Sequence, residues 1–335
     1  MPTPKRVCAW FTGALLWCCA SAVSAACAGT DLVPQLRSED PQGYRAAQAR
    51  ADLVLNGTGR FWLIERDGVA PSWMLGTFHA PEGMDTLSAV IRSAFDGADH
   101  LVVELDSRQQ EDMEARIATD PSFSFDLDAD PLSSRLTPDQ LAGLRLGLQA
   151  RGMQLEMVEN MRPWLLTSIL ALPACHLRAA AAGAQAMDSE LIELAFRRGA
   201  EVTGLETYEQ AIGAFKRVDR SILITALASA GKMIQIEEDL FRTNISLYQR
   251  GEIAMIEELN IYLSERYVPG EDYRASNAKL MSQLLDQRNR AWMRTLLGTL
   301  TEGNVFVAVG ALHLPGTVGL VELLRAAGYT VTRAD

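Results

Sequence analysis

Segments that favour a β-strand lie near both ends of this chain, with a long helical stretch between them, and that distribution narrows the folds open to it. Toward the N-terminal side, FWLIE and SWMLG flank DGVAP, which reads as two strands and a turn. HLVVELD follows at 100–106, and EVTGLE stands between helical patterns at 201–206. NVFVAVG and YTVTRA come near the end of the chain. Strands are thus expected at roughly 60–76, 100–106, 201–206, 304–310 and 329–333. Continuous apolar, β-branched runs such as HLVVELD suit strands covered on both faces. The expected class is α/β, a central mixed sheet built from both ends of the chain with a large helical body inserted between the strands.

Helix punctuation fills the gaps. LSAVIRSAFDGADH has apolar residues at helical spacing and a glycine stop. SSRLTPDQLAGLRLGLQARG opens with a cap and a proline and also ends at a glycine. MRPWLLTSILAL is too apolar for a surface helix. A helix is expected over Ser189–Arg198, stopped by Gly199, and the segment YRASNAKLMSQLLDQRNRAWMRTLLGTL reads as amphipathic helix. One domain is expected over 27–335.

Two short frames stand out against this background. GTFHAPEG (76–83) and GALHLPG (310–316) are both G-x-x-H-x-P, both follow an apolar run, and together hold two of the four histidines. In each, the glycine is expected to end the strand, and the proline to stiffen the loop that presents the imidazole. Such presentation suits a metal ligand or an acid/base group. The bland alternative is a pair of core histidines in coincidental frames. His100 and His176 read as structural.

Carboxylates supply the rest of a candidate centre. Glu104 interrupts the apolar run of HLVVELD, where a lone charge is costly unless paired or bound to a cation; otherwise it reaches solvent at the strand end. His79, Glu104 and His313 around one cavity would form a mixed N/O site suited to Zn²⁺, Mn²⁺, Co²⁺ or Fe²⁺. Glu206, at the end of EVTGLE, is a general base, a further ligand, or a carboxylate favoured by the following helix N-terminus. Arg288 either neutralises an oxyanion, holds a catalytic carboxylate or makes a surface ion pair, with Asn289 beside it. Asp188 reads as an N-terminal helix residue.

MPTPKR, a short apolar run and ASAVSAA form the pattern of a secretory leader over residues 1–26. Its removal takes away Lys5 and Arg6 and makes a formal net charge of −11 more negative still, which argues against nucleic-acid or anionic-lipid partners. No later segment is long and apolar enough for a span, so a periplasmic or secreted protein is expected. Cys27 and Cys175 then remain, either bridged or as two free or lipidated thiols. P-loop, HExxH, G-x-S-x-G and CxxC motifs are missing from the sequence.

GTFHAP, VVELD, the MDSEL-to-GLETYEQ segment, QRNRAW and VFVAVGALHLPG-x-x-GL followed by GYTV together resemble the TraB/PrgY/GumN family, the GumN-type branch in particular, over roughly residues 58–333. That family includes the TIKI metal-dependent proteases with paired G-x-x-H motifs, and is similar at greater distance to erythromycin-esterase and ChaN-like folds. The resemblance implies that His79 and His313 are the motif histidines, with Glu104 as the associated carboxylate and Glu206, Arg288 and Asn289 at recurrent positions. Where the family often has G-x-D, this chain has Ala186-Met187-Asp188. The implied activity is a divalent-metal-dependent hydrolase (Mn, Co or Zn) acting on a peptide or small-molecule substrate. The alternative is a non-catalytic binding protein for a metal, haem or a polysaccharide precursor.

Overall fold

The computed structural model describes residues 27–79, 87–270 and 272–335. The expected leader and Pro81 of the first frame lie outside the described residues. Six strands form one mixed sheet: β1 (Phe61–Arg66), β2 (Val69–Thr77), β3 (His100–Val103), β4 (Glu201–Gly204), β5 (Val305–Gly310) and β6 (Thr330–Arg333), in the order β4-β3-β5-β2-β1-β6. The sheet does draw on both ends of the chain, with helices making up most of the rest, so the α/β expectation holds.

β2, β5, β3 and β4 run parallel, while β1 is antiparallel to both β2 and β6. The C-terminal ends of the four parallel strands therefore share one edge of the sheet, the edge where open α/β sheets place their ligands. The turn between β1 and β2 is shorter than DGVAP suggested. It is Asp67-Gly68, with Gly68 at φ 77°, and Val69, Ala70 and Pro71 belong to β2. Pro71 is tolerated because pairing of β2 with β5 begins only at Trp73↔Phe306, so no ladder bond toward β5 is lost.

Alternation along the strands builds a core on each face. Phe61, Leu75, Leu101, Phe306 and Ala308 pack against helices Pro41–Ala51, Ala89–Gly97, Met187–Arg197 and Ile253–Tyr267. Trp62, Met74, Val102, Val305, Val307 and Val309 face helices Gln287–Leu300 and Leu320–Ala326. With helices on both faces, every residue of β5 is buried, which explains its unbroken apolar sequence.

The remaining helical body has its own apolar centre, where Leu144, Leu148, Leu166 and Leu227 meet. Helix Pro138–Ala150 there starts with a capping box between Thr137 and Gln140, the cap-and-proline start read from the sequence. Cys27 and Cys175 form a disulfide, with Cα atoms 5.2 Å apart, that ties the N-terminal arm to this body. Among the described residues no single helix is long and apolar enough to cross a membrane.

Candidate active site

The two histidine frames end adjacent parallel strands, and register sets them one residue out of step. Thr77 pairs with Gly310 and Gly76 with Val309. Gly310 ends its strand as expected, whereas β2 continues past Gly76 to Thr77. Neither glycine has a positive φ, so space is what they provide. A methyl group on Gly76 would lie 2.7 Å from Leu314 Cδ1 and 2.8 Å from Ala311 Cα, both in the second frame. One on Gly310 would lie 3.1 Å from His79 Nε2, 3.2 Å from Glu104 Oε1 and 3.6 Å from His313 Cδ2. Each frame's glycine makes room for the other frame, and the three expected ligands converge over Gly310.

Both imidazoles are held by Nδ1. His79 Nδ1 lies 2.8 Å from Asp188 Oδ2, and Asp188 Oδ1 accepts a 2.7 Å bond from the Thr77 hydroxyl. His313 Nδ1 lies 2.6 Å from Asn289 Oδ1. The Asn289 amide is oriented by donating to His313 O at 3.1 Å and Val318 O at 2.9 Å, so its oxygen faces the ring and Nδ1 is the donor. That pattern leaves Nε2 of both rings as the outward-facing nitrogen, as in the carboxylate–histidine arrangements that orient metal ligands. Ala186 precedes helix Met187–Arg197 at φ −70° and ψ 153°, ordinary extended backbone, so Asp188 reaches its place without a glycine there.

Arg288 joins the carboxylates. Its Nη2 donates to Glu104 Oε2 and Glu206 Oε1, its Nε donates to Glu206 Oε1 at 2.9 Å, and Nη1 reaches Leu284 O at 3.0 Å and His313 Nε2 at 3.3 Å. All five of its N–H groups are engaged. It is thus an anchor for both carboxylates, and the contact to His313 is the longest it could give up to an oxyanion. The helix expected to run through this region is interrupted by a π-helical turn at Ser282–Asp286 immediately before Gln287–Leu300; such turns often re-aim side chains at functional sites.

The electrostatics follow from burial and these partners. The Asp188 carboxylate raises the exposed His79 ring to about 9. For Glu104, burial favours the neutral acid, but Arg288, His79 and the Gly310 N–H, which donates to Oε1 at 2.8 Å, bring it down to about 2. Burial drives His313 down to about 3 despite Glu104, so its ring is neutral.

The site therefore gathers His79, Glu104, Glu206, Arg288, Asn289, His313 and Asp188. His100 is elsewhere, between Thr203 and Glu302, and His176 packs on Phe241. Thr77 and Trp292 escaped the sequence reading. Trp292 packs with its ring centre 4.3 Å from that of His313, the planes tilted by 35°, and lies 4.7 Å beneath the Arg288 guanidinium. Its spacing four residues after Arg288 on one helix was the available signal.

Among the described residues no group of three or more His, Cys, Asp or Glu side chains stands at metal-holding distances. His313 Nε2 and Glu104 Oε1 are 3.7 Å apart, with the guanidinium beside both. The donor set nevertheless fits a divalent cation in kind: two imidazole Nε2 atoms with Nδ1 already held, one ionised carboxylate, and a glycine that leaves the space over them open.

No match is found among curated proteins or solved structures. The sequence profile of the TraB/PrgY/gumN family matches residues 60–333, and the chain belongs to that family.

Proposed function

We propose that this protein is an exported, divalent-metal-dependent hydrolase of amide bonds, a GumN-type relative of the TIKI proteases. The observation that carries the reading is the convergence of His79 Nε2, Glu104 Oε1 and the His313 ring over Gly310. Zn²⁺, Mn²⁺ or Co²⁺ held by these three would supply Lewis acidity, polarising a carbonyl and acidifying a water.

The chain's own residues do the remaining work. Asp188 and Asn289 fix the two rings. Glu206 Oε1 accepts both Arg288 bonds, which leaves Oε2 of that buried carboxylate to take a proton. Arg288 keeps Glu104 ionised and has one N–H, the one toward His313, to turn to a developing oxyanion. The disulfide and the leader pattern support an oxidising, exported setting, periplasmic or secreted.

A second reading, a binding protein without turnover, draws on one fact: Arg288 donates to Glu104 and reaches His313 Nε2, so the carboxylate has a counter-charge from the chain itself. Metal content and Mn²⁺, Co²⁺ and Zn²⁺ binding of wild type, His79→Ala and His313→Ala decide between them. About one metal per chain, lost in each folded variant and accompanied by peptide turnover, supports the hydrolase. Metal or ligand binding without turnover supports the binding protein, and the absence of metal from every form sinks the metallohydrolase.

A further inference from the structure

Beside the candidate site, on the Glu206 side, lies a cavity of about 390 Å³ between helices Tyr208–Lys216 and Gln287–Leu300. Glu206 and Arg288 form part of its lining, so it adjoins the cluster just described. Gln287 and Arg294, seven residues apart on one helix face, line one wall; Gln210 and Arg217, seven apart, line the other.

The charge of this lining is unusual for the chain. The protein has 42 acidic residues against 31 Lys and Arg, and surface arginines such as Arg250, Arg274 and Arg325 lie against carboxylates. The side chains of Arg217 and Arg294 have no ion-pair or hydrogen-bond partner among the described residues. The one carboxylate lining the cavity, Glu206, is already committed to Arg288. Two guanidinium groups thus face a concave space with no internal counter-charge, beside two amides able to donate.

We propose that this cavity is a carboxylate-binding subsite, in which Arg217 and Arg294 grip a carboxylate of a peptide ligand while the bond to be cleaved lies against the Glu104–His79–His313 cluster. Arginine suits this task because its planar fork meets both oxygens of a carboxylate. The carboxylate is either the ligand's C-terminus or an acidic side chain. Direction of the ligand toward the cluster rests on the hydrolase reading; binding of the carboxylate does not.

Calorimetric titration of the mature protein with N-acetyl-Ala-Ala, N-acetyl-Ala-Ala-amide and N-acetyl-Ala-Glu-amide tests the proposal, in wild type, Arg217→Gln, Arg294→Gln and the double variant. Both arginines are exposed, so the variants are expected to keep the fold, checked by circular dichroism. The free acid or the Glu peptide should bind about tenfold or more tighter than the neutral amide, and the double variant should erase that preference. Which of the two carries the preference identifies the carboxylate. Equal binding of all three, no binding of any, or a preference that survives in the double variant overturns the subsite. Preference without peptide turnover leaves the subsite standing and removes the hydrolase; turnover without preference does the reverse.

Discussion

Asp188 Oδ2 lies 2.8 Å from His79 Nδ1, and its other oxygen is fixed by Thr77 at 2.7 Å. The carboxylate therefore sets both the charge and the orientation of the imidazole. Because the folded-state value of His79 is raised to about 9, its contribution to stability is fully present below the ordinary histidine range and is lost as pH rises through about 9. Asp188→Asn should bring the imidazole titration, followed by NMR, back toward 6.5, and weaken metal binding by about 10- to 100-fold. An unmoved titration would remove Asp188 from this role. Metal uptake near neutral pH should also release about one proton, measurable by calorimetry in buffers of different ionisation enthalpy.

Arg288 is the shared counter-charge of Glu104 and Glu206, and the three side chains are largely buried. Arg288→Met should cost about 3–5 kcal/mol in urea unfolding, since two buried carboxylates lose their partner. Glu104, held down at about 2, contributes stability above the usual carboxylate range that is lost as pH falls through about 2. In Arg288→Met that acid limb should begin at higher pH. If stability between pH 5 and 2 varies identically in wild type and Glu104→Gln, the ionised-Glu104 assignment is wrong.

The two frame glycines should behave differently on substitution. Gly310→Ala places its methyl against movable side-chain atoms of His79, Glu104 and His313, so ligand or metal binding should fall at least about tenfold while the protein still folds. Gly76→Ala meets the Ala311 backbone at 2.8 Å and should destabilise the fold by about 1–3 kcal/mol or more. Comparing thermal unfolding and binding for the two variants checks the contrast, and a reversed order would contradict the reciprocal packing.

Opening the Cys27–Cys175 bridge, 148 residues apart in sequence, should cost about 2–5 kcal/mol. The check is denaturant unfolding of Cys175→Ala beside wild type under oxidising conditions, where no difference would mean the bridge does not form.

The residues of the site were legible because their surroundings made them anomalies. Glu104 breaks an apolar run, and His79 and His313 repeat one frame after strands. What could not be read were contacts between distant segments. Asp188 looks like any first-turn helix carboxylate until β2 brings Thr77 and His79 to it. Glu206 could be a base, a ligand or a helix-terminus carboxylate until the π-helical turn delivers Arg288 to it. The Arg217–Arg294 cavity had no signature, since it depends on how two amphipathic helices face each other. Gly76 was expected to end its strand, and the sequence could not show which distant segment, the Ala311–Leu314 turn, packs against it.

The position of β5 has a consequence for biosynthesis. It leaves the ribosome after β1, β2, β3 and β4, yet it stands between β3 and β2. Until residues 305–310 arrive, the β1–β2 hairpin and the β3–β4 pair have no common neighbour, and His79 and Glu104 have nothing to close over. A nascent chain can gather its helices early, but the cleft forms only when the penultimate strand threads into the gap. The order of translation itself thus keeps His79 and Glu104 apart from His313 until β5 has been made.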